Sequence, residues 1–183
     1  MTSSDVRFAE IYETFFRRLY GYCLRRATAD RVDDVVAETF LIAWRRIGDV
    51  PTGDEALPWL YAVAFKVLGN QWRSQTRQRK LEDKLSAVGI TPVSSTEDFI
   101  IKGQESDQVL QAVSRLKRTD QEILKLAMWE EASHADITVI LGVSPGAVKQ
   151  RLYEARKNLT REYNRLENKR IKTPAARKGG GSW

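Results

Sequence analysis

The chain has 183 residues, of which 42% are apolar and 30% charged, a composition typical of one or two small globular domains. With 30 Lys and Arg against 24 Asp and Glu, its formal net charge is +6, which indicates a polyanionic partner. The single Cys23 and single His134 exclude a disulfide scaffold and a zinc finger, and we expect no metal site and no cofactor. No stretch approaches the roughly 20 apolar residues of a membrane-spanning helix, and the N-terminus lacks the pattern of a secretory signal, so we expect a cytoplasmic protein without membrane insertion.

Apolar residues recur at helical spacing in residues 1–80 and predict three helices that share one core. The first stripe consists of Phe8, Ile11, Tyr12, Phe15, Leu19, Tyr22 and Cys23. The second consists of Val32, Val35, Val36, Phe40, Ala43, Trp44 and Ile47, and the third of Leu57, Leu60, Tyr61, Ala64, Leu68 and Trp72. Gly48 is predicted to cap the second helix, and Thr52 with Glu55 is predicted to form a capping box before the third.

A second helical block is predicted over residues 107–166, after a flexible linker at 81–106 where Gly, Pro, Ser and Thr replace the helical pattern. Its predicted helix ends are Thr119 with Glu122, Ser133 with Asp136, Gly142, and Ser144 with Pro145. Residues 167–183 form a basic tail to which we assign no fold. The predicted fold class is therefore all-α, with two small helical domains and a linker between them.

Charge is unevenly distributed in the first block. Asp33, Asp34 and Glu38 cluster on one side of the second predicted helix, which favours a protein-contact face or plain solvation over a metal or acid–base site. In the third helix, a polar stripe without acids consists of Lys66, Asn70, Arg73, Arg77 and Lys80. Beside Phe65 and Trp72, such a stripe suits single-stranded nucleic acid, whose phosphates it would hold while bases stack; a merely solvated face remains equally open.

The segment from Ser133 to Arg156 has the layout of a helix-turn-helix. Its core-facing residues are Val148, Leu152, Ala155 and Leu159, and its projecting residues are Gly146, Lys149, Gln150, Tyr153 and Lys157. Lys and Gln near the start of such a helix can donate to base edges in the major groove. The alternative is a helical hairpin with a solvated basic face.

With both blocks in place, the chain resembles a bacterial RNA polymerase sigma factor of the extracytoplasmic-function (ECF) group, which retains regions 2 and 4. In region 2 the resemblance lies in the segment from Asp33 to Trp44 and the segment from Pro58 to Ala64. In region 4 it lies in the segment from Leu116 to Leu124, in Trp129-Glu130, and in the run from Leu141 to Leu152 with Ala155-Arg156.

The resemblance implies a role for each surface. Core RNA polymerase would be bound at its beta-prime clamp helices and its beta flap. The residues assigned to polymerase binding are Asp33, Asp34, Glu38 and Phe40, of which Asp34 and Glu38 would dock the clamp helices. The loop from Gly48 to Leu57 would capture a flipped base of the minus-10 element, and the other minus-10 contacts would be Trp59, Lys66, Asn70, Arg73 and Arg77. The minus-35 element would be read by Ser144, Gly146, Lys149, Gln150, Arg151, Tyr153 and Lys157. An anti-sigma factor is a further implied partner.

The sequence therefore predicts a non-enzymatic promoter-specificity subunit of RNA polymerase that binds promoter DNA and promotes its opening. One alternative is a stand-alone helix-turn-helix regulator, which would bind DNA tightly without polymerase. Another is a nuclease that uses Asp33, Asp34 and Glu38 with magnesium, for which no completing partner is evident in the sequence.

Overall fold

The computed structural model describes residues 2–85 and 104–172, and the side chains of 2–73 and 108–168. Over these ranges the chain forms helices and turns without a strand, which confirms the all-α prediction. The helices are α1 (Ser3–Leu24), α2 (Val32–Arg45), α3 (Ala56–Leu85), α4 (Gln104–Ser114), α5 (Arg118–Met128), α6 (His134–Leu141) and α7 (Pro145–Lys172).

Helices α1 to α3, here called the N-terminal bundle, pack around one apolar core as the periodicity predicts. Leu19 of α1, Val35 of α2 and Leu60 of α3 are completely buried in it. Tyr22 and Tyr61 stack between α1 and α3 with their ring centroids 4.3 Å apart. At the start of α1, Thr2 and Asp5 form a capping box in which each side chain accepts a hydrogen bond from the other residue's backbone N–H.

Helices α4 to α7, here called the C-terminal bundle, bury Ile123, Leu124, Val148 and Ala155. Helix α7 packs against α4, α5 and α6. The two bundles also contact each other, because α6 packs extensively on α3. A single cluster of buried apolar side chains runs through both bundles, so the core is continuous between them.

Three predicted helix ends are wrong. Helix α2 ends at Arg45 rather than at Gly48, because Ile47–Asp49 tightens into a 3₁₀ turn beside an Arg46–Asp49 ion pair of 2.9 Å. Thr52 makes no capping hydrogen bond with its side chain, since a 3₁₀ turn at Gly53–Glu55 leads into α3 instead. Helix α5 already begins at Arg118, after Lys117, so Thr119 lies inside the helix.

Three helices extend further than the sequence pattern predicts. Helix α3 continues to Leu85, and α4 begins at Gln104, so both enter the range predicted as linker. Helix α7 continues to Lys172, within the range predicted as a tail without a fold. The rest of both ranges, residues 86–103 and 173–183, lies outside the described residues.

Candidate functional site

The first candidate surface lies on α2. Asp33 and Asp34 occupy the first turn of the helix, where the helix dipole stabilises negative charge, and Glu38 follows one turn later. All three side chains are exposed, as predicted. Asp33 also raises the pKa of Tyr20 on α1, mainly because its negative charge disfavours the phenolate. These three carboxylates, here called the acidic stripe, therefore begin next to α1 at Asp33 and continue along the exposed side of α2.

Apolar side chains continue this acidic stripe toward the end of α2. Leu41 is 46% exposed and Trp44 is 42% exposed, and Tyr12 of α1, whose ring packs against that of Phe40 on α2, is 41% exposed. The prediction that Tyr12 and Trp44 are buried is therefore wrong. A sequence signal was available, since residues 34, 38 and 41 and residues 37, 41 and 44 follow helical spacing along one side. This side lies next to the buried stripe rather than within it.

Phe40 packs beneath the exposed face of α2, against the rings of α1. It is buried, and its ring lies 4.7 Å from the ring of Tyr12 and 6.2 Å from that of Phe8, centroid to centroid. Phe16 contacts it as well, at 6.3 Å. Of the four residues predicted to bind polymerase, three are thus presented to solvent, and Phe40 holds the rings of α1 against α2.

The second candidate surface begins at the loop between α2 and α3. Val50 is buried, and its carbonyl oxygen accepts a hydrogen bond from the Arg7 guanidinium, which ties the loop to α1. Gly53 adopts a left-handed φ of 62°, a conformation that suits glycine. The Arg46 guanidinium lies 5.8 Å from the ring centroid of the half-buried Trp59. The loop is thus anchored while Thr52 and its neighbours stay exposed.

Helix α3 then presents the predicted polar stripe. Lys66, Asn70 and Arg73 are exposed, and the Arg73 guanidinium donates a 2.7 Å hydrogen bond to the Asn70 side-chain oxygen. Phe65 and Trp72 are half-buried beside the stripe. Arg77 and Lys80 lie on the same helix, but their side chains are outside the described residues. The stripe brings two cations and an amide together on one solvent-facing line.

The third candidate surface is the helix-turn-helix formed by α6 and α7. Ser133 and Asp136 form the predicted capping box, with the Asp136 N–H donating to Ser133 Oγ at 3.1 Å. Gly142 ends α6 in the left-handed conformation, at φ 62° and ψ 40°. Ser144 Oγ accepts from the Ala147 N–H at 3.3 Å, and Pro145 begins α7. Both predicted ends of α6 and the predicted start of α7 are confirmed.

The exposed side of α7 contains the residues predicted to face DNA. Val148, Leu152 and Ala155 are buried, as predicted. The seven candidates are all exposed: Ser144, Gly146, Lys149, Gln150, Arg151, Tyr153 and Lys157. Tyr153 is 69% exposed, and the Gln150 amide donates to Glu154 at 3.1 Å. Cations at the start of a helix, together with its free N–H groups, can hold phosphates while longer side chains reach base edges.

Among the described side chains, no group of three or more His, Cys, Asp or Glu residues is placed to hold a metal ion. Nor does any helix in the described ranges have the length and apolar character needed to cross a lipid bilayer.

Fold and surfaces together define a two-bundle helical protein with a DNA-binding helix-turn-helix. Two family models match the chain: Sigma-70 region 2 over residues 11–78, and Sigma-70 region 4 over residues 106–159. The first match begins within α1 and covers α2 and most of α3, and the second begins within α4 and continues to the middle of α7.

Relatives that match over most of the chain agree with the family models. The chain is 31% identical over 149 residues to the ECF RNA polymerase sigma factor SigL of Mycobacterium tuberculosis, covering 79% of this chain and 82% of that protein. It is 30% identical over 138 residues to the RNA polymerase sigma factor NccH of Alcaligenes xylosoxydans xylosoxydans, covering 70% and 71% of the two chains. The chain therefore belongs to the ECF RNA polymerase sigma factors, which direct promoter recognition, and this confirms the predicted function.

Solved structures share the fold. The sigma factor RpoE of Bartonella quintana, in complex with the anti-sigma factor NepR, superimposes with a TM-score of 0.62 at 23% identity, covering 86% of this chain and 96% of that chain. CnrH, in complex with the cytosolic domain of CnrY, superimposes with a TM-score of 0.58 at 20% identity, covering 86% and 87%.

Proposed function

We propose that this sigma factor divides promoter recognition and polymerase binding between three surfaces, each formed by its own helices. The observation that carries the proposal is the presence, on one chain, of an acidic and apolar face on α2 and an exposed recognition face on α7, in the order of regions 2 and 4. In this proposal the first domain comprises residues 1–80, the linker 81–106, the second domain 107–166 and the tail 167–183.

The α2 face binds core RNA polymerase at the beta-prime clamp helices. Exposed Asp33, Asp34 and Glu38 suit a basic partner, and Leu41 with Trp44 supplies the apolar centre that protein interfaces favour. Phe40 contributes indirectly, because its buried ring holds Tyr12 and Phe8 in place. The C-terminal bundle binds the beta flap of the polymerase.

The α2–α3 loop and the α3 stripe engage the minus-10 element as it opens. Lys66 and Arg73 neutralise phosphates, and Asn70, held by Arg73, offers its amide to the strand. Trp59 shapes the anchored end of the loop, and Arg77 extends the stripe along α3. The sequence left this stripe undecided between nucleic acid and plain solvation, and membership in the family favours nucleic acid.

The α7 face reads the minus-35 element in duplex form. Lys149 and Gln150 reach base edges, while Ser144, the Gly146 backbone, Arg151, Tyr153 and Lys157 contact the sugar–phosphate chain. The protein has no catalytic chemistry of its own and works in the cytoplasm, where the polymerase supplies the reaction. By analogy with RpoE bound to NepR, an anti-sigma factor holds it inactive until it is needed.

The test is run-off transcription with bacterial core RNA polymerase on fragmented DNA of the source organism, with and without the protein. New discrete start sites that align on two shared upstream elements are expected. A stand-alone regulator would instead bind one DNA site tightly without polymerase and create no new start sites. Retention of the protein on immobilised core polymerase separates a wrong template from a wrong function.

A further inference from the structure

The loop between α2 and α3 closes on itself where it begins. Both Nε and Nη2 of Arg46 lie 2.9 Å from the same carboxylate oxygen of Asp49, and the Asp49 N–H donates to the Arg46 carbonyl at 2.8 Å. These bonds join residues within one turn of the chain. They fix the shape of residues 46–49, but they do not fix the position of the loop against another helix.

Arg7 attaches the loop to a different helix. It belongs to α1, and its guanidinium donates to the carbonyl oxygen of Val50, 43 residues further along the chain. Val50 is only 2% exposed, so water has little access to this carbonyl. A buried carbonyl that loses its donor is left without a replacement, which makes this bond costly to break. Arg7 therefore holds the α2–α3 loop against α1.

The residue after Val50 fixes the direction in which the chain leaves this anchor. Pro51 restricts the residue before it to extended backbone, and Val50 has φ −70° and ψ 123°. The ring of Pro51 restricts its own φ as well. Two residues further on, Gly53 turns the chain with a φ of 62°. The position of the Val50 carbonyl therefore determines where the residues that follow it are placed.

Residues 51–55, here called the loop tip, lie between this anchor and the start of α3. Ala56 is buried again at the start of α3, so the tip is held at both of its ends. Four residues of the tip are exposed: Thr52, Gly53, Asp54 and Glu55. Binding to an ordered loop loses less free energy to ordering than binding to a loop that the ligand must itself order. An anchor at Val50 is therefore suited to a loop that receives a DNA base.

Arg7 lies outside the part of the chain that matches Sigma-70 region 2. That match begins at residue 11, so it includes Val50 but not Arg7. The Arg7 guanidinium donates to the backbone of the loop, whereas the residues of the polar stripe belong to α3. Any contribution of Arg7 to promoter opening is therefore made through the loop.

We propose that Arg7 is a positioning residue for promoter opening: its bond to Val50 keeps the loop tip in the geometry that receives the flipped base of the minus-10 element. Arg7 acts through the loop and does not itself contact DNA. The part of this proposal that concerns DNA rests on the function proposed above. The ordering of the loop tip does not, and it is tested in the free protein.

The first measurement is the mobility of the loop tip in the free, full-length chain. A nitroxide label is attached at Thr52→Cys, an exposed position, and native Cys23 remains because its thiol is buried. Arg7→Met keeps the apolar stem of the side chain and removes its donors, and Arg17→Met, at an exposed position on the same helix, is the matched control. Arg7→Met should increase the mobility of the label in the electron paramagnetic resonance spectrum, and Arg17→Met should not. Arg7→Lys, which keeps an ammonium donor, should restore part of the ordering.

The second measurement is base discrimination by the protein with core polymerase, without the label, on promoters that the mapped start sites identify. Each minus-10 position is changed in turn on duplex templates, and the position at which a change is most costly with the parent is taken as the captured base. The ratio of initiation rates on the unchanged and changed templates should fall about fivefold in Arg7→Met, near the low end of what one base pair contributes to specificity. A merely structural role would lower both rates and leave their ratio unchanged.

Equal label mobility in the parent and Arg7→Met would overturn the ordering of the loop tip, and an unchanged ratio would overturn the role in base capture. If Arg7→Met loses helical content, Arg7→Gln, whose side chain is shorter, replaces it with the same two expectations. Failure of the parent to create start sites with core polymerase would refute the function proposed above and the role in base capture with it. The label would still decide whether Arg7 orders the loop tip.

Discussion

Trp44 lies edge-on to Phe8, with ring centroids 5.0 Å apart and ring planes at 84°. An edge-to-face pair of this kind fixes the indole without burying it, and part of the Trp44 ring stays open to solvent. A large aromatic side chain that is held rigidly and left exposed is the usual form of an interface hot spot, since little conformational entropy is lost when a partner covers it.

Trp44→Ala should therefore weaken binding to core polymerase by about 30-fold, corresponding to about 2 kcal/mol for a hot-spot residue. Equilibrium binding to labelled core polymerase measures the effect, with helical content as a check of the fold. Val6→Ala, at an exposed apolar position near the start of α1, is the control and should bind like the parent. Equal affinity of Trp44→Ala and the parent would remove Trp44 from the interface.

Charge reversal at Asp34 and Glu38 tests the acidic part of the same face. Asp34→Lys with Glu38→Lys should weaken polymerase binding about tenfold at low salt, because complementary charges mainly speed association and are screened by added salt. Glu167→Lys, at an exposed position on α7, should have little effect. Binding of the full chain to minus-35 duplex, measured in parallel, should not fall, and an equal loss of both activities would contradict separate surfaces.

Substitutions on α7 should distinguish duplex recognition from strand opening. Lys149→Ala with Gln150→Ala removes two side chains assigned to base edges and should reduce initiation on duplex promoters by about 10- to 100-fold. Templates already opened around the start site should be affected less, since they depend more on the α3 stripe. Run-off assays on the two templates give the ratio, and equal losses would show that these residues do not read the duplex.

Loss of the α6 cap should destabilise the protein without touching a binding surface. Ser133→Ala removes the hydroxyl that accepts from the Asp136 N–H, at a cost of about 1 kcal/mol. For a chain of this size, that corresponds to a decrease in Tm of about 2–4 °C. Thermal unfolding followed by circular dichroism measures it, and the comparison is Ser114→Ala at the last residue of α4, where the hydroxyl donates only to the Gln111 carbonyl of the same helix. No decrease in Tm would show that the capping box contributes nothing to stability.

The buried thiol of Cys23 should make the free energy of unfolding depend on pH in the alkaline range. Burial, as the largest cause, raises the pKa of its thiol from 9.0 to about 12. As pH rises, the thiol of the unfolded chain therefore loses its proton before the buried thiol does. The free energy of unfolding is unaffected by this group below pH 9 and decreases as pH rises from 9 to 12. The slope is about 1.4 kcal/mol per pH unit in that window.

Urea unfolding at several pH values measures this slope, and Cys23→Ala supplies the control in which the part due to the thiol disappears. Burial also raises the pKa of Tyr61 to about 12 and that of Tyr22, so some decline above pH 10 should persist in the control. In the folded protein the thiol should resist alkylation at pH 8. Rapid alkylation without unfolding would contradict its burial.

The parts of the fold that the sequence predicted well have local causes. Ser133, Gly142 and the Ser144-Pro145 pair each determine a helix end through atoms within a few residues, and the structure contains all three ends. The end at Gly48 failed because the competing Arg46–Asp49 turn is equally local, and composition does not rank the two. Likewise, periodicity placed Trp44 near the core but could not tell the edge of a buried stripe from its centre.

The parts that could not be predicted depend on partners far along the chain. Glu122 was interpreted as half of a capping box, whereas it pairs with Arg26, 96 residues away. No spacing rule connects the segment after α1 with α5, so the Arg26–Glu122 pair has no sequence signature. The residue roles at the three surfaces came from family resemblance, because exposed side chains of the right type are common and their positions alone do not name a partner.

Helix α3 has a geometric consequence of its own. Its 30 residues form a rod of about 45 Å, with the anchored loop at one end and the departure point of the next segment at the other. A one-residue insertion in this rod would rotate everything beyond it by about 100° and advance it by about 1.5 Å. The number of residues in α3 thus determines the position and direction in which the chain leaves the N-terminal bundle, whichever exposed residues the helix carries.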